Sequence, residues 1–173
     1  MPTSTGQQPI IAVCGAGQCG SDLAAMAEAV GHGIAVAGAI LICGGLGGVM
    51  AAACRGARAA GGITVGILPG SDIGAANSDV LIPIASGMGE ARNVIIVCTA
   101  AVVIAVGGEY GTLSDIALAR KIGRTAIGLK TWELGRDIAN QPHVQAVDTP
   151  EHAIAVAGRQ DTHWEVKLEE LPH

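Results

Sequence analysis

The sequence predicts a doubly wound α/β fold: a mainly parallel sheet of six or seven strands with helices on both faces. Short apolar runs alternate with alanine-rich segments of helical length along most of the chain. Glycine clusters separate these segments, and the 26 glycines provide many tight turns. Strands and helices alternating at this spacing are typical of a parallel sheet with right-handed crossovers. We therefore expect a Rossmann-like arrangement.

Length and composition indicate one domain. The chain has 173 residues, of which 50% are hydrophobic and 14% charged, enough for one well-buried core and too few for two ordinary ones. Aromatic residues make up 2% and Phe is absent, so Ala, Val, Ile and Leu must form the core. We expect a flexible leader over residues 1–9, a single Rossmann-like domain over 10–158, and a charged tail over 159–173.

The first half of the chain supplies three strands and two helices. Ser21 and Asp22 are candidates for capping the first helix. Gly61 and Gly62 end the second helix in the way that C-terminal glycines commonly do. In chain order the predicted elements are a strand at 10–14, a helix at 21–37, a strand at 39–43, a helix at 49–60 and a strand at 63–68.

The second half continues the alternation. Gly123 caps its second helix, and Pro150 opens the last one near its first turn. The predicted elements are a strand at 80–84, a helix at 90–99, a strand at 101–106, a helix at 112–122, a strand at 125–129, a strand at 144–147 and a helix at 150–157.

Charge and residue usage exclude several classes of protein. A net charge of −5 with scattered Lys and Arg argues against binding to nucleic acid. The uncharged stretch 34–54 is as long as a membrane span, but the glycines of 44–48 divide it into a strand and a helix, so we predict no span. Five cysteines without a CxxC pair fit a reducing cytoplasm, and neither they nor the five histidines suggest a metal site.

Glycine clusters that follow strands fall at the carboxyl edge of the sheet, where open α/β sheets bind ligands. The turn 106–115 is the strongest candidate, because a strand that leads through glycines into a helix N-terminus presents unpaired N–H groups to an anion. The sequence therefore predicts a site for a ligand that carries phosphate. The predicted ligand-binding residues are Gly15, Gly17, Gly44, Gly45, Gly47, Gly107, Gly108, Tyr110, Gly111 and Thr112.

Gly15, Gly17 and Gly20 match the GxGxxG pattern of dinucleotide sites by context and by spacing. The acidic residue that would hold a ribose is missing, because the second strand ends in Cys43 and Gly44. This disfavours NAD or FAD and leaves a mononucleotide-like phosphate as the candidate.

Two charged residues lie near the same edge. Arg92 is close to a helix start, where a cation needs a compensating anion, and either Glu90 or a bound anion fits this need. Asp115 is placed to turn its carboxylate back toward the glycine turn, where stabilising the helix N-terminus is its simplest role. Tyr110 and Trp132 fall in loops at this edge, where either could stack on a flat ring or cover the surface.

Three glycine-rich segments, 44–50, 87–93 and 107–115, together resemble the Lonely Guy-like superfamily over about residues 10–158. The resemblance is closest to the branch of small Rossmann-like proteins that includes molybdenum cofactor carrier proteins. It implies a homodimer or larger homo-oligomer. It also implies a nucleoside-monophosphate-like or molybdopterin-type ligand on the glycine turn.

Active members of this superfamily are phosphoribohydrolases whose turn reads Pro-Gly-Gly-x-Gly-Thr-x-x-Glu, with an Arg-Lys pair upstream. By this resemblance Arg92 and Asp115 are the candidate catalytic residues. Here Gly107 replaces the Pro, Glu109 the second Gly, Asp115 the final Glu, and Asn93 the Lys. Because each change touches the part that would perform catalysis, we predict a ligand-binding protein, with a nucleoside 5′-monophosphate phosphoribohydrolase or a molybdenum cofactor carrier as the alternatives.

Overall fold

A computed structural model describes residues 7–160, which contain seven β-strands, five α-helices and two short 3-10 turns. The strands are β1 (Ile10–Gly15), β2 (Ile40–Cys43), β3 (Thr64–Leu68), β4 (Ile82–Ala85), β5 (Val102–Val106), β6 (Thr125–Leu129) and β7 (Gln145–Val147). The helices are α1 (Ser21–Val36), α2 (Val49–Ala59), α3 (Asn93–Thr99), α4 (Tyr110–Lys121) and α5 (Pro150–Gln160). The 3-10 turns cover Ile73–Ala75 and Gly89–Arg92.

All seven strands pair in parallel in one sheet, in the order β4-β3-β2-β1-β5-β6-β7. The doubly wound α/β prediction is therefore confirmed. The order reverses between β1 and β5, whose carboxyl ends are in register, with Gly15 opposite Val106. In sheets of this kind the crevice at such a reversal is where ligands bind, because the loops leave the two strands toward opposite faces.

Each central strand is buried on both faces, so its residues divide between two cores. Ile11 and Val13 of β1 pack with α1, α2 and α5 on one face. Ala12 and Cys14 of the same strand pack with α3 and α4 on the other. All five residues of β5 are buried, which explains why its sequence is uniformly apolar.

Helices α1 and α2 pack against each other at glycines. A Cβ atom added to Gly31 would lie 1.9 Å from the carbonyl oxygen of Ala53, and one added to Gly56 would lie 1.9 Å from that of Glu28. A side chain at either position would force the two backbones apart. This close approach places the two helices side by side over one face of the sheet.

The structure differs from the predictions mainly at helix starts. The predicted helix 90–99 begins as the 3-10 turn through Arg92, and α3 starts only at Asn93. The first residue of α4 is Tyr110 rather than Thr112, and the N-cap of α1 is Gly20 rather than Ser21 or Asp22, with no side-chain cap. These boundaries depend on backbone dihedrals that glycine permits and that the apolar pattern does not encode.

The chain ends need a correction as well. Helix α5 continues to Gln160, so the first two residues of the predicted tail, Arg159 and Gln160, are helical. Residues 1–6 of the predicted leader and 161–173 of the predicted tail lie outside the described residues. Between residues 7 and 160, no helix is long and apolar enough to cross a membrane.

Candidate functional site

A cleft of about 450 Å³ lies at the carboxyl ends of β1 and β5, the position that the strand order favours. Its volume is within the range of small-molecule sites. The loops after β1 and β2, the 3-10 turn Gly89–Arg92 and the N-terminal parts of α2, α3 and α4 form its walls. The lining residues are Val13, Cys14, Gly15, Ala16, Gly17, Gly44, Leu46, Met50, Glu90, Arg92, Asn93, Ile96, Glu109, Tyr110, Gly111, Thr112 and Asp115.

The N-terminal turn of α4 forms one wall. The backbone N–H groups of Tyr110, Gly111 and Thr112 have no acceptor within the helix, because they belong to its first turn. Glu109 occupies the N-cap position and makes no side-chain capping bond. These donors, at the positive end of a 12-residue helix, can bind an anion.

Thr112 is the third residue of α4 and lines the cleft, and only 3% of its surface is exposed. Its Oγ1 is buried without a hydrogen-bond partner among the described residues. A buried hydroxyl in this state costs free energy, so such atoms are usually paired. An oxygen-rich ligand on the α4 N-terminus would provide the partner that the protein does not.

Arg92, Asn93 and Asp115 form a hydrogen-bonded chain that runs from the start of α3 to α4. The Arg92 guanidinium donates through Nε to the carbonyl oxygen of Ile67 at 2.8 Å and through Nη1 to Oδ1 of Asn93. Asn93 in turn donates through Nδ2 to Oδ1 of Asp115 at 2.8 Å. Asn93 therefore bonds to both predicted catalytic residues, Arg92 on the 3-10 turn and Asp115 on α4.

The guanidinium of Arg92 is buried, and its Nε and Nη1 already donate hydrogen bonds within the protein. Its Nε and Nη1 donate to neutral oxygens rather than to Glu90, one of the two partners that its sequence position suggested. Its Nη2 points toward Gly44, where an added Cβ would lie 2.7 Å from that nitrogen. Nη2 is thus the part of Arg92 that is placed to meet a ligand.

Burial raises the pKa of Asp115 to about 6, against the lowering effects of the Asn93 hydrogen bond and the Arg92 charge, and Glu90 adds a smaller raising effect. Burial also raises the pKa of the Cys14 thiol, and the nearby Asp115 carboxylate adds to this effect. The cleft lining thus contains three acidic residues, Glu90, Glu109 and Asp115, and one guanidinium, that of Arg92.

Four predicted ligand-binding glycines lie on the cleft. At Gly15 and Gly44 a Cβ would clash, being 2.6 Å from the Val106 carbonyl oxygen and 2.7 Å from Arg92 Nη2 respectively. At Gly17 and Gly111 a Cβ would meet nothing within 4 Å, so these two leave open space beside the backbone. A ligand can approach the main chain closely at both places.

The other four predicted glycines do not line the cleft. Added Cβ atoms would lie 2.9 Å from Leu68 at Gly45, 3.0 Å from the Gly17 carbonyl oxygen at Gly47, 2.8 Å from Leu23 at Gly107 and 2.8 Å from Trp132 at Gly108. Packing within the protein explains their lack of a side chain. Position in a glycine loop could not distinguish the glycines that face the ligand from those that face the protein.

The two loop aromatics form a pair. Their rings have centroids 5.6 Å apart at an angle of 41°, and Trp132 Nε1 donates to the Glu109 carbonyl oxygen at 3.2 Å. Tyr110 lines the cleft and is 81% exposed. Trp132 thus lies against the start of α4. Tyr110 presents its ring at the mouth of the cleft.

Sequence reasoning missed Asn93, Cys14 and Met50 as site residues. The sequence marks Asn93 only as the residue that replaces a lysine of the family pattern. Its hydrogen bond to Asp115 joins segments that are distant in the chain, so no local pattern predicts it. Cys14 is the penultimate residue of β1, so its position at the sheet's carboxyl edge was a usable signal. Met50 lies one residue inside α2, and nothing in the sequence separates it from a core methionine.

The family model described as the SLOG cluster4 family matches residues 8–162, which is most of the chain. The chain belongs to the SLOG cluster4 family. This SLOG cluster4 match confirms the resemblance to the Lonely Guy-like superfamily. An uncharacterized protein from Archaeoglobus fulgidus is 49% identical over 121 residues, which cover 69% of this chain and 79% of that protein.

Two solved structures are similar to this SLOG cluster4 protein over nearly their whole length. The molybdenum cofactor binding protein from the phototrophic bacterium Rippkaea orientalis has a TM-score of 0.79 and 36% identity, covering 87% of this chain and 95% of that one. The molybdenum cofactor carrier protein from Chlamydomonas reinhardtii has a TM-score of 0.77 and 33% identity, covering 89% and 98%. The expected branch of the superfamily is thereby confirmed.

Proposed function

We propose that the cleft binds a phosphate-bearing ligand with a flat heterocycle, of the nucleotide or molybdopterin type. The observation that carries this proposal is the buried Thr112 Oγ1, which lacks a hydrogen-bond partner within residues 7–160 and belongs to the first turn of α4, whose N–H groups have no acceptor in the helix. A phosphate at this place accepts from the hydroxyl and from the backbone donors together. Gly111 leaves the space that the phosphate needs.

The charges of the cleft favour a particular heterocycle. Carboxylates accept hydrogen bonds from the paired N–H donors of an amidine-like edge, which guanine and pterin rings share. Glu90, Glu109 and Asp115 offer such acceptors, and a ligand that carried only negative charge would be repelled by them. Tyr110 at the mouth can stack on the ring. A phosphorylated pterin or guanine nucleotide therefore fits better than a pyrimidine nucleotide.

A molybdenum cofactor carrier is the specific function that we favour within this proposal. Its support is the likeness to two structures whose names include binding or carriage of that cofactor, together with a cleft that offers places for a phosphate and for an amidine edge. In this chain Thr112 and Gly111 would hold the phosphate end, and the carboxylates the pterin end. The cofactor, when bound, supplies the molybdenum chemistry that carriers deliver elsewhere.

A nucleoside 5′-monophosphate phosphoribohydrolase is the second candidate. Asp115 favours it, because a carboxylate in the cleft can steady the charge that develops on a ribose. Arg92 weakens it, since two of its donor groups already serve Ile67 and Asn93. Incubation with GMP and AMP followed by chromatography for free base separates the candidates. Base release that Asp115→Asn abolishes would replace binding by catalysis as the function.

Thr112→Val tests the binding proposal directly. Valine keeps the shape and removes the hydroxyl, so we expect binding of GMP and of molybdopterin, measured by calorimetry, to weaken about tenfold. The free protein should become more stable by about 1 kcal/mol, because a buried unpaired hydroxyl is lost. Thr99→Val on α3, outside the cleft, is the matched control and should leave affinity unchanged. Equal affinity of Thr112→Val and the wild type would overturn the phosphate site.

Self-association and a cytoplasmic location are parts of the same proposal. The resemblance implies a homodimer or larger homo-oligomer, and the negative net charge argues against nucleic acid as a partner. Binding of a small ligand requires neither self-association nor a cytoplasmic location. The oligomeric state therefore needs its own test, a measurement of the mass in solution.

A further inference from the structure

A second groove lies along α4, on a different side of that helix from the cleft. It has a volume of about 570 Å³ and lies between the second half of α4 and the segment 134–143. None of its lining residues lines the cleft. Three of them, Arg120, Lys121 and His143, carry a cationic or protonatable group, whereas the chain as a whole has a net charge of −5.

The guanidinium of Arg120 has donors to spare. Its Nε is buried without a hydrogen-bond partner in residues 7–160. Its Nη1 reaches the carbonyl oxygen of Arg124 only at 3.4 Å, and its Nη2 is 3.9 Å from Oδ2 of Asp137, beyond hydrogen-bond distance. The guanidinium is thus held only by one long hydrogen bond and one long ion pair, and its Nη1 and Nη2 groups match a carboxylate, which accepts two parallel N–H bonds.

Asp137 is only a distant ion-pair partner of Arg120, because its carboxylate also holds the loop. Its Oδ1 accepts from the backbone N–H groups of Ala139 and Gln141, both at 2.9 Å. The Gln141 hydrogen bond is the main reason why the pKa of Asp137 lies below its usual range, with smaller contributions from Ala139, His143 and Arg120. Asp137 is therefore held by its own loop, 3.9 Å from Arg120 Nη2.

The rest of the groove is apolar. Ile116 forms a buried floor, the exposed Ala117 lies one residue further along α4, and Leu134 covers the opposite side. A polar cation next to an apolar surface recognises a molecule that has both an anionic group and an apolar body. A compact inorganic anion would leave the apolar part of the groove exposed to water.

We propose that this groove binds a small organic acid, with its carboxylate on Arg120 and its apolar body against Ile116, Ala117 and Leu134. The site is separate from the cleft and does not depend on the function proposed for it. Lys121, on the exposed edge of α4, adds a second positive charge that attracts the acid.

The test uses 4-phenylbutyrate as the probe and 4-phenylbutanol as its uncharged counterpart, each titrated into the full chain and followed by calorimetry. We expect saturable binding of the acid and at least tenfold weaker binding of the alcohol. Arg120→Met keeps the aliphatic stem and removes the guanidinium, so it should weaken acid binding about tenfold or more. Arg159→Met, at the exposed end of α5, is the matched control and should have no effect.

Ala117→Glu provides a test that leaves Arg120 in place. A carboxylate on this exposed position repels the acid and fills part of the groove, so binding should again fall about tenfold or more. Gly111→Val in the cleft should leave acid binding unchanged, which separates the two sites. Failure of the acid to bind at millimolar concentration, or equal binding by the wild type, Arg120→Met and Ala117→Glu, would overturn the proposal.

Discussion

Asp115 lines the cleft, and its carboxyl group is surrounded mainly by protein rather than by water. Asn93 donates to it and Arg92 lies beyond Asn93, and both lower its pKa, yet burial outweighs them and the pKa rises to about 6. The native state therefore holds this proton more tightly than the unfolded chain does. Its contribution to stability is full below about pH 4 and is lost as the pH rises through about 6.

Asp115→Asn isolates this contribution, because it keeps the shape and the Asn93 hydrogen bond while removing the titration. A change in pKa from 3.8 to about 6 corresponds to about 3 kcal/mol. The quantity to follow is the difference in unfolding free energy between the wild type and Asp115→Asn. We expect this difference to fall by up to this amount between pH 4 and pH 7 and to stay constant at higher pH. Urea denaturation of both proteins across this range measures it. A difference that does not vary with pH would show that Asp115 titrates normally.

Glycine has different roles in different elements of this protein. The first turn of α4 exposes N–H groups because Glu109 does not cap it and Gly111 has no side chain over it. Helices α1 and α2 cover one sheet face because Gly31 and Gly56 let their backbones touch. The same residue type thus serves ligand approach in one element and helix packing in another.

Gly111→Val should abolish binding of phosphate ligands without unfolding the domain. The added side chain points into open space, since no atom lies within 4 Å of a Cβ there, and it blocks the approach of a ligand to the helix N-terminus. Gly70→Val is the matched control, because its Cβ also meets nothing within 4 Å and lies outside the cleft. Calorimetry with GMP and circular dichroism test both parts. Unchanged affinity would refute the anion site.

Gly31→Ala should destabilise the protein, although alanine favours an exposed helix over glycine by about 1 kcal/mol. Its Cβ would lie 1.9 Å from the Ala53 carbonyl oxygen, so α1 and α2 must separate, at a cost of about 1–3 kcal/mol or more. Chemical denaturation gives the value, with Gly70→Ala as the control at an open position. A variant as stable as the wild type would mean that the two helices can move apart freely.

At the scale of the whole molecule, the sheet is covered unevenly. Seven of the ten large apolar side chains that are exposed within residues 7–160 lie between Ile73 and Ile95. Ile82 and Ile84 on the edge strand β4 are each 45% exposed, on a face that helices cover elsewhere in the sheet. An apolar face on an edge strand is typical of a contact between subunits.

We expect the protein to form a homo-oligomer through this surface. The double substitution Ile82→Lys and Ile84→Lys places two charges on it and should yield a monomer of 17.2 kDa. Light scattering after size exclusion measures the mass. Ile138→Lys, at an exposed isoleucine in the loop before β7, is the control and should keep the assembly of the wild type. A wild type that is monomeric at all concentrations would contradict the prediction.

The sequence by itself determined the α/β class, the parallel sheet and the edge that carries the cleft. These follow from local patterns, because apolar strands, helix-length segments and the turns between them are written in consecutive residues. Only the tertiary structure decided which loops line the cleft. The Asn93–Asp115 hydrogen bond, the approach of Arg92 to Gly44 and the packing of Gly45, Gly47, Gly107 and Gly108 join residues that are distant in the chain or depend on dihedral angles. Contacts between distant segments and backbone dihedral angles cannot be read from local sequence patterns, so four of the eight predicted ligand-binding glycines do not line the cleft.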